Sequence, residues 1–460
     1  MTNLKVSFIA SELTPIAKVG GLGDVAGALP KYLQKDVDIS VVIPAYQAIK
    51  EKVEYIPNSK VKIYYIDVPE YFSERDKIYG YTDDPIRYAH FDVEVVNQIK
   101  NGTFGKIDIV HINDYHTSWI PILIKDRNVD GIKTILTIHN LGSTYQGRYS
   151  LDLLDHLKLQ SIHPSIEEDK KDSEINPLLQ GILNANIIST VSPTYSKEIL
   201  EKEYGGELDY YLNQRKEDIY GILNGIDTSV FNPKTDTMIY ANYDISDYKE
   251  KKSINKIKLI EELGLKFSPN QPLYSFIARL DAQKGVSILT ESIMLTEITL
   301  LTKSLQSVRQ ESINFLFLGT GDETIANKIK EIESSTNEVK LEFTFDPVLA
   351  EKMYAASDAL IIPSKYEPCG LTQMIAMRYG TLPIVRETGG LKDSVEDQVT
   401  GFVFKNFDEI ELKDKILDSF RIFGTSKWDE MIKDAMKRDF SWDKSSKEYV
   451  KLYKKTIGIP

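Results

Sequence analysis

The sequence predicts an α/β protein of two domains, each built on a parallel sheet that helices cover on both faces. Its 460 residues exceed what one ordinary hydrophobic core supports. Short apolar or β-branched runs alternate with stretches of helical periodicity, a pattern that favours parallel sheets. The alternation occurs in two series that a polar segment separates. We therefore expect two Rossmann-like halves with a cleft between them.

The first series contains five predicted strands, each bounded by polar, Gly or Pro residues. Helices are predicted between several of them, notably over Val25–Leu33 and Ser118–Lys125. The strands are Val6–Ala10, Ile39–Ile43, Ile107–Ile112, Thr134–Ile138 and Ile187–Val191.

The second series contains five more strands, with helices predicted over Ile288–Leu300 and Thr324–Ser334. A polar segment, Asn232–Asp247, and a charged helical stretch, Tyr248–Gly264, come before this series. The predicted strands are Leu273–Ile277, Asn314–Leu318, Leu341–Phe345, Ala359–Ile362 and Leu382–Val385.

We place the domain boundary near residue 245, which gives domains 1–245 and 246–440. The last segment, 441–460, carries Trp442, Tyr449 and Tyr453 at spacings that fit one face of a helix over Ser441–Lys455. We expect this C-terminal helix to pack back across the domains.

Composition and charge exclude several classes of protein. The net charge is −12 and no cluster of Lys or Arg offsets it locally, which argues against a nucleic-acid platform or an anionic membrane surface. No run of 18 apolar residues predicts a membrane span. The apolar stretch Val6–Ala10 is too short for a secretion signal. A single cysteine, Cys369, excludes an intrachain disulfide and favours a reducing compartment, so we expect a cytoplasmic protein.

A glycine-rich turn follows the first strand. Gly20, Gly21 and Gly23 open the first predicted helix, and Lys18 comes just before them. Glycines let backbone N–H groups approach an anion closely, and a helix N-terminus favours negative charge. The turn is a poor match to a dinucleotide fingerprint or a P-loop. These residues alone fit two interpretations, a loop that binds phosphate and a tight turn that binds no ligand.

Polar residues also follow the later strands of the first domain. His111 and His116 flank Asp114, but their spacing suits neither a zincin helix nor a zinc loop, so we expect no metal. Asp114 at a strand end is able to accept sugar hydroxyls. His139 follows the next strand, where a packed core histidine is the simpler interpretation.

The second domain places two cations next to one strand end. Arg279 lies directly after Leu273–Ile277, and Lys284 precedes the next predicted helix. Two cations at one point would stabilise the negative charge that grows on a diphosphate leaving group. A solvated surface pair is the alternative.

The stretch from Pro363 to Thr388 is the most specific in the chain. It reads PSKYEPCGLTQMIAMRYGTLPIVRET and contains a strand end, Glu367 and a helix N-terminus. Glu367 suits charge-assisted hydrogen bonds to sugar hydroxyls. The backbone N–H groups around Gly370, Leu371 and Thr372 suit a phosphate. Cys369 lacks an implied His or Asn partner, so we interpret it as lining a pocket rather than as a nucleophile.

These motifs together resemble the glycogen and starch synthases of the bacterial and plant type, glycosyltransferase family 5 of the GT-B superfamily. The resemblance extends from Lys5 to about Tyr453. The segments that carry it are Lys18-Val19-Gly20-Gly21-Leu22-Gly23-Asp24-Val25, His139-Asn140-Leu141 with Tyr145-Gln146-Gly147, Gly221–Asp227, Arg279 with Lys284-Gly285, and Glu367-Pro368-Cys369-Gly370-Leu371-Thr372-Gln373.

The resemblance implies transfer of glucose from ADP-glucose, or UDP-glucose, to the non-reducing end of an α-1,4-glucan with retention, and no cofactor or metal. The first domain would present the acceptor and the second would bind the nucleotide sugar. It implies catalytic roles for His139, acting through its backbone carbonyl, and for Arg279, Lys284 and Glu367. Substrate-binding roles are implied for Lys18, Gly20, Gly21, Asp24, Asp114, Asn140, Asn224, Phe345, Cys369, Gly370, Leu371 and Thr372.

Two alternatives stay open. Where the family has a lysine and an aromatic residue, this chain has Asn176-Pro177-Leu178-Leu179-Gln180, preceded by a charged stretch, Glu167–Glu174. A pseudo-synthase that only binds glucan or nucleotide sugar would fit that change. Another retaining GT-B glucosyltransferase would share the fold. Phe345 would lie near the nucleobase or, equally, in the core.

Overall fold

The computed structural model describes residues 4–170, 173–304 and 312–459, and the side chains of 298–304 are not described. Lys171 and Asp172 of the stretch Glu167–Glu174 lie outside the described residues. Contacts between residues divide the chain into two compact units, Met1–Gly225 with Ser441–Pro460, and Ile226–Phe440. Each unit has its own parallel sheet, so the fold is the α/β class that the sequence predicts.

The first unit contains a seven-stranded parallel sheet in the order β3-β2-β1-β4-β5-β8-β9 and a two-stranded antiparallel ribbon, β6-β7. The strands are β1 Lys5–Ile9, β2 Asp38–Pro44, β3 Lys62–Ile66, β4 Ile109–Asn113, β5 Lys133–Ile138, β6 Tyr149–Ser150, β7 Glu174–Ile175, β8 Ile187–Thr190 and β9 Ile219–Gly221. The helices are α1 Gly21–Leu33, α2 Asp84–Lys100, α3 Ile120–Asp126, α4 Leu153–Leu157, α5 Pro164–Asp169, α6 Pro177–Asn184, α7 Tyr195–Glu198 and α8 Asp209–Gln214.

The second unit contains a six-stranded parallel sheet in the order β12-β11-β10-β13-β14-β15. Its strands are β10 Leu273–Ile277, β11 Asn314–Leu318, β12 Val339–Glu342, β13 Ala359–Ile362, β14 Leu382–Arg386 and β15 Phe402–Phe404. Its helices are α9 Tyr248–Glu262, α10 Val286–Ser304, α11 Glu323–Ser335, α12 Pro347–Ala356, α13 Thr372–Arg378, α14 Gly389–Ser394, α15 Glu409–Ile422 and α16 Ser426–Lys437.

The strand order of each sheet reverses once. In the first unit the reversal lies between β1 and β4, and in the second between β10 and β13. Chains leaving neighbouring strands at such a point run to opposite faces of the sheet and open a crevice at the strand C-termini, where α/β proteins bind ligands. The segments that follow these four strands carry several of the sequence motifs, and the others follow β5 and β9.

The interior strands were predicted closely. The predicted bounds Leu273–Ile277, Asn314–Leu318 and Ala359–Ile362 are confirmed to the residue. The predicted strand Leu341–Phe345 is displaced, because the strand occupies Val339–Glu342 and Asp346 already caps α12 by accepting the N–H of Leu349 at 2.9 Å. The sequence did not predict β3, β9 and β15.

Those errors share a physical cause. β3, β9, β12 and β15 are the four edge strands of the two large sheets. An edge strand is covered less completely than a central one, so it needs no continuous apolar run and its sequence signal is weak. Interior strands are buried on both faces and show that run clearly.

The C-terminal helix, α17 Trp442–Thr456, lies in the first unit and packs on α1 and β5. Trp442, Tyr449 and Tyr453 are all buried, which confirms that they share one face of the helix. The hydroxyl of Tyr453 lies 2.8 Å from Nδ1 of His111, and Nε2 of His111 lies 2.6 Å from Oγ1 of Thr137. Both ring nitrogens of His111 therefore anchor protein groups.

The polar segment before α9 belongs to the second unit. Asn255, buried on α9, accepts the N–H groups of Tyr240 and Ala241 at 2.9 and 3.2 Å. Its amide nitrogen donates to the carbonyls of Ala241 and Lys251 at 2.8 and 2.9 Å. One buried side chain thus satisfies four backbone groups and fixes the segment to the helix.

We expect Asn255→Ala to lower the free energy of unfolding by about 1–3 kcal/mol, because the N–H groups of residues 240 and 241 lose their acceptor. Thermal unfolding followed by circular dichroism measures this. The control is Lys258→Ala on the same helix, whose exposed side chain pairs with Glu261, and it should change the free energy by less than about 0.5 kcal/mol. Equal stability of both variants would contradict the anchoring role.

Across the residues that the structure describes, no helix combines the length and the apolar character needed to span a lipid bilayer.

Candidate active site

The glycine-rich turn between β1 and α1 is held by a buried carboxylate that the sequence analysis missed. Oε2 of Glu12 accepts the backbone N–H groups of Val19 and Gly20, both at 2.7 Å. The hydroxyl of Tyr79 donates to Oε1 of Glu12 at 3.0 Å and lies 2.6 Å from Oγ of Ser11. Glu12 therefore fixes the turn in one conformation. Its signal in the sequence is an acidic residue within three positions of a buried strand.

The predicted substrate-binding residues of this turn lie around the first turn of α1. Gly20 is the extended residue that precedes the helix, and as a glycine it offers no side chain to cap the helix N-terminus. Lys18 and Asp24 form an ion pair, with Nζ of Lys18 2.7 Å from Oδ1 of Asp24, and both side chains are partly exposed. A Cβ at Gly23 would lie only 3.0 Å from Oε2 of Glu12, so the glycine lets the helix and the carboxylate approach closely. The lysine is accessible for exchange onto another anion.

Asp114 is held in an unusual backbone conformation directly after β4. Its φ of 54° is uncommon for a residue with a side chain. The backbone N–H groups of His139 and Asn140 donate to its carboxylate, the first at 2.7 Å, and burial raises the pKa of Asp114 to about 7. A strained backbone conformation of this kind persists only where the surrounding structure holds it in place. Such conformations cluster at functional sites. In this structure the carboxylate orients the start of the loop after β5.

His139 is a neutral histidine. Its Nε2 lies 2.9 Å from Oδ1 of Asn113, so Nε2 carries the hydrogen and donates to this amide oxygen. Burial lowers its pKa to about 3, which leaves the ring uncharged at neutral pH. The amide nitrogen of Asn113 donates in turn to the carbonyl of Ile9 in β1 at 2.9 Å. The ends of β1, β4 and β5 are thereby tied together.

The loop after His139 is organised by Gln146, a fully buried side chain. Its Nε2 donates to the carbonyls of Leu141 and Gly206 at 3.1 and 2.7 Å, and its Oε1 accepts the side-chain amide of Asn176 at 2.8 Å. Asn140 accepts the N–H of Gly142 at 2.9 Å. The sequence analysis quoted Gln146 only as part of a motif, because nothing in the pattern shows that three segments converge on it.

Internal hydrogen bonds join the segment around Gln180, where the sequence analysis expects a departure from the family pattern. Gln180 is fully buried, its Oε1 accepts the hydroxyl of Ser165 at 2.7 Å, and its Nε2 donates to Oδ2 of Asp169 at 2.7 Å. Asp169 also accepts the N–H of Asn176 at 3.0 Å. The glutamine thus joins α5 to α6 and supports the loop that Gln146 organises.

Asn224 follows β9 in a buried position, with 5% of its surface exposed. Its N–H donates to the carbonyl of Val191 at 3.3 Å, but among the described residues its Oδ1 has no hydrogen-bond partner. A buried amide oxygen without a partner is costly, so it is a natural place for a ligand donor.

In the second unit, Lys284 and Glu367 meet at the reversal point of the sheet although 83 residues separate them. Nζ of Lys284 lies 2.7 Å from Oε2 of Glu367, and the hydroxyl of Ser364 donates to the same oxygen at 2.8 Å. Both charged side chains are largely buried. A Cβ at Gly285, whose φ is +72°, would overlap the carbonyl oxygen of Pro363, so this glycine permits the two strand ends to approach.

Arg279 was expected to point at the same place as Lys284, and the structure gives it a different partner. Its NH2 lies 3.2 Å from Oδ2 of Asp281, and its side chain is 58% exposed. Asp281 also caps the short helical turn Ala282–Lys284 by accepting the N–H of Lys284 at 3.0 Å. The arginine and the lysine thus flank one carboxylate-capped turn.

The loop from Glu367 to Thr372 is shaped by close contacts with α14. A Cβ at Gly389 would overlap the carbonyl oxygen of Glu367, and one at Gly390 would overlap that of Cys369. Nε2 of Gln373 donates to the carbonyls of Cys369 and Gly370 at 3.1 and 2.8 Å. These close contacts fix the loop in place.

That carbonyl arrangement sets the direction of the next two N–H groups. The C=O and N–H of one trans peptide point in opposite directions. Because both carbonyls face Gln373, the N–H groups of Gly370 and Leu371 point away from it. Leu371 precedes α13, which begins at Thr372. Cys369 is buried.

Phe345 lies on the loop between β12 and α12 with 74% of its surface exposed, which excludes the core position left open by the sequence. Among the described residues, no group of three or more His, Cys, Asp or Glu side chains is arranged to hold a metal ion.

Comparison with known families gives two matches along the chain. Residues 5–214 match the starch synthase catalytic domain, and residues 261–422 match glycosyl transferases group 1. The chain is 38% identical to the glycogen synthase of Thermotoga maritima, over 99% of both chains. It is also 38% identical to the glycogen synthase of Lactobacillus acidophilus, over 99% of this chain and 100% of the relative.

Comparison with solved structures identifies the same family. The catalytic domain of starch synthase IV from Arabidopsis thaliana, bound to ADP and acarbose, is 32% identical, with a TM-score of 0.86 over 99% of this chain and 100% of that one. Sucrose-phosphate synthase from Thermosynechococcus elongatus, at 16% identity and a TM-score of 0.63, shares the fold alone. Full-length identity, matched domains and structural similarity lead to one conclusion: the chain belongs to the glycogen/starch synthase family and has its GT-B fold.

Proposed function

We propose that this glycogen/starch synthase, a nucleotide-sugar-dependent glucosyltransferase, takes glucose from ADP-glucose and adds it to the non-reducing end of an α-1,4-glucan with retention. The observation that carries the proposal is the buried Lys284–Glu367 pair at the reversal point of the second sheet. ADP is favoured over UDP because the starch synthase to which the chain is 32% identical has ADP bound.

In this proposal the second unit binds the donor diphosphate. Lys284 and Arg279 supply positive charge, and the N–H groups of Gly370 and Leu371 supply hydrogen bonds at the start of α13. As the glycosidic bond breaks, negative charge grows on the departing diphosphate, and fixed cations stabilise that charge without reorganising. These side chains take the part that a divalent cation has in other nucleotide-sugar enzymes. The exposed ring of Phe345 is suited to stacking on the adenine.

Glu367 has two functions in the proposal. Its Oε2 is engaged by Lys284 and Ser364, which fixes the carboxylate. Its other oxygen then accepts hydroxyls of the transferred glucose through charge-assisted hydrogen bonds. Cys369 lines the same loop. A carboxylate that is fixed before the substrate arrives loses little entropy on binding.

The first unit manages the sugar and the acceptor. Lys18 leaves Asp24 to pair with a donor phosphate, while the backbone of Gly20 and Gly21 approaches the glucose. Asp114 and Asn140 orient the loop whose His139 carbonyl faces the anomeric carbon. A carbonyl oxygen there stabilises the positive charge of an oxocarbenium-like transition state, and a neutral histidine ring does not oppose it.

The unpartnered Oδ1 of Asn224 accepts a hydroxyl of the donor. Attack and departure on the same face of the sugar account for retention of the α configuration.

Radiolabelled ADP-glucose and UDP-glucose, each supplied with glycogen, test the proposal. We expect a higher kcat/KM with ADP-glucose and a labelled product that an α-1,4-specific amylase releases completely. Preferred use of UDP-glucose would contradict the donor assignment, and an amylase-resistant product would contradict retention. Incorporation from neither donor, despite measurable nucleotide binding, would instead favour a pseudo-synthase.

A cytoplasmic location is part of the same proposal, because nucleotide sugars are made there and a chain with one cysteine needs no oxidising compartment.

A further inference from the structure

An aromatic pair on α8 of the first unit has no role in the chemistry described above. Tyr210 is 65% exposed, and its ring centroid lies 5.2 Å from that of Tyr211 at an interplanar angle of 79°. This edge-to-face arrangement holds the Tyr210 ring in place while leaving much of its surface in water. An aromatic ring that is held in place outside the core presents an apolar face to a ligand, with a polar hydroxyl at its end.

The aromatic pair is connected to the loop that follows β5. The carbonyl of Gly206 accepts Nε2 of Gln146 at 2.7 Å, and the same amide donates to the carbonyl of Leu141 at 3.1 Å. Tyr210 comes four residues after Gly206, so their Cα atoms are at most about 15 Å apart. Tyr210 therefore lies within about 15 Å of Gly206, which Gln146 joins to the loop that follows His139.

Polar groups border the aromatic pair. Glu207 is exposed and pairs with Arg148, whose NH2 lies 2.9 Å from Oε2 of Glu207. Asn213 and Gln214 are exposed at the other end of α8. A glucose ring has an apolar C–H face and a rim of hydroxyls, so an aromatic ring bordered by carboxylate, guanidinium and amide groups matches both parts.

We propose that Tyr210 and Tyr211 form a binding platform for the α-glucan chain, at sugar units remote from the end that receives glucose. The inference rests on the proposed function, because it takes the acceptor to be an α-1,4-glucan. Tyr210 stacks on the apolar face of a sugar ring, and Tyr211 supports it from the edge. A glucan held there raises the effective concentration of its reacting end at the loop of His139.

A platform of this kind makes a prediction that depends on acceptor length. In this proposal glycogen and amylose are long enough to occupy both the platform and the reacting end, whereas a short acceptor such as maltotriose occupies only the reacting end. For Tyr210→Ala we expect the KM for glycogen to rise about three- to tenfold, which corresponds to the free energy lost with one aromatic contact. The kcat, the KM for ADP-glucose and the rate with maltotriose should remain as in the wild type. Affinity electrophoresis through glycogen-containing gels should show a faster migration of the variant.

Two further variants make the experiment specific. Tyr210→Trp keeps a flat aromatic face and should bind glycogen as tightly as the wild type. Tyr55→Ala removes another exposed tyrosine, with 45% of its surface exposed. Tyr55 forms a β-bridge with the first residue of β3, so it lies at the end of the sheet opposite the strand C-termini. The Tyr55→Ala variant should migrate as the wild type does.

Wild-type migration of Tyr210→Ala in glycogen gels would overturn the platform, and so would an equal loss of the rate with maltotriose. An equal effect of Tyr55→Ala would overturn it as well. Migration in glycogen gels needs no transfer of glucose, so a failure of the donor or transfer assignment gives a different result from a failure of the platform.

Discussion

Replacing Lys284 with alanine is expected to lower kcat by about 10²–10³-fold, the usual effect of removing one group that stabilises charge in a transition state. The lysine is the more buried of the two cations assigned to the diphosphate, and it is fixed by Glu367 at 2.7 Å. Initial rates with ADP-glucose and glycogen measure the effect. Wild-type turnover would contradict the assignment of Lys284 to the leaving group.

The loss of Lys284 also leaves the carboxylate of Glu367 largely buried without its cation. We expect the free energy of unfolding to fall by about 1–3 kcal/mol, which by itself does not unfold the chain. The double variant Lys284→Ala with Glu367→Gln should recover much of that stability, because the remaining side chain is neutral. Its turnover should stay low, because it also lacks the Glu367 carboxylate. Lys437→Ala, which removes an exposed lysine, is the control and should change neither quantity.

The second large effect is expected at Glu12, which acts through the turn it holds. Glu12→Ala leaves the backbone N–H groups of Val19 and Gly20 without their acceptor, so the turn that follows β1 becomes free to move. A displacement of about 1 Å in a positioning group reduces the rate by up to about 10²-fold. We therefore expect kcat/KM for ADP-glucose to fall by about 10²-fold, while the KM for glycogen changes little.

Comparison of two substitutions separates positioning from charge. Glu12→Gln keeps one oxygen to accept both N–H groups, and its amide nitrogen is able to donate to Tyr79, so it should lose less than about tenfold. If Glu12→Gln were as impaired as Glu12→Ala, the negative charge itself would be required. If Glu12→Ala had wild-type kinetics for the donor, the positioning role would be wrong.

The interior of both sheets could be predicted from the sequence because burial on two faces imposes continuous apolar runs. β10, β11 and β13 follow this rule, and their predicted bounds agree with the structure. The edge strands do not follow it, and the sequence analysis missed or displaced all four in the two large sheets. The helical face of α17 could also be predicted, since a 3.6-residue period places its aromatic residues on one side.

Only part of the candidate active site could be predicted from the sequence. Motifs at strand ends identified Lys284 and Glu367 separately, and the rule that ligands bind beyond parallel strands gave a reason to expect them together. The functions of Glu12 and Gln146 could not be predicted from a motif in this way. Each is defined by backbone groups that it satisfies at Val19 and Gly20, or at Leu141 and Gly206, and the sequence contains no record of which distant backbone a buried side chain will meet.

The α/β class, the two series of strands, the membership of the glycogen/starch synthase family and the charged residues at the strand ends could all be inferred from the amino-acid sequence. The partners of those charged residues became known only from the folded structure. It paired Lys284 with Glu367 and Arg279 with Asp281, and it placed Phe345 in solvent rather than in the core. The physical reason is that periodicity and composition report the local environment of a residue, whereas a buried ion pair across 83 residues depends on how the strand ends converge.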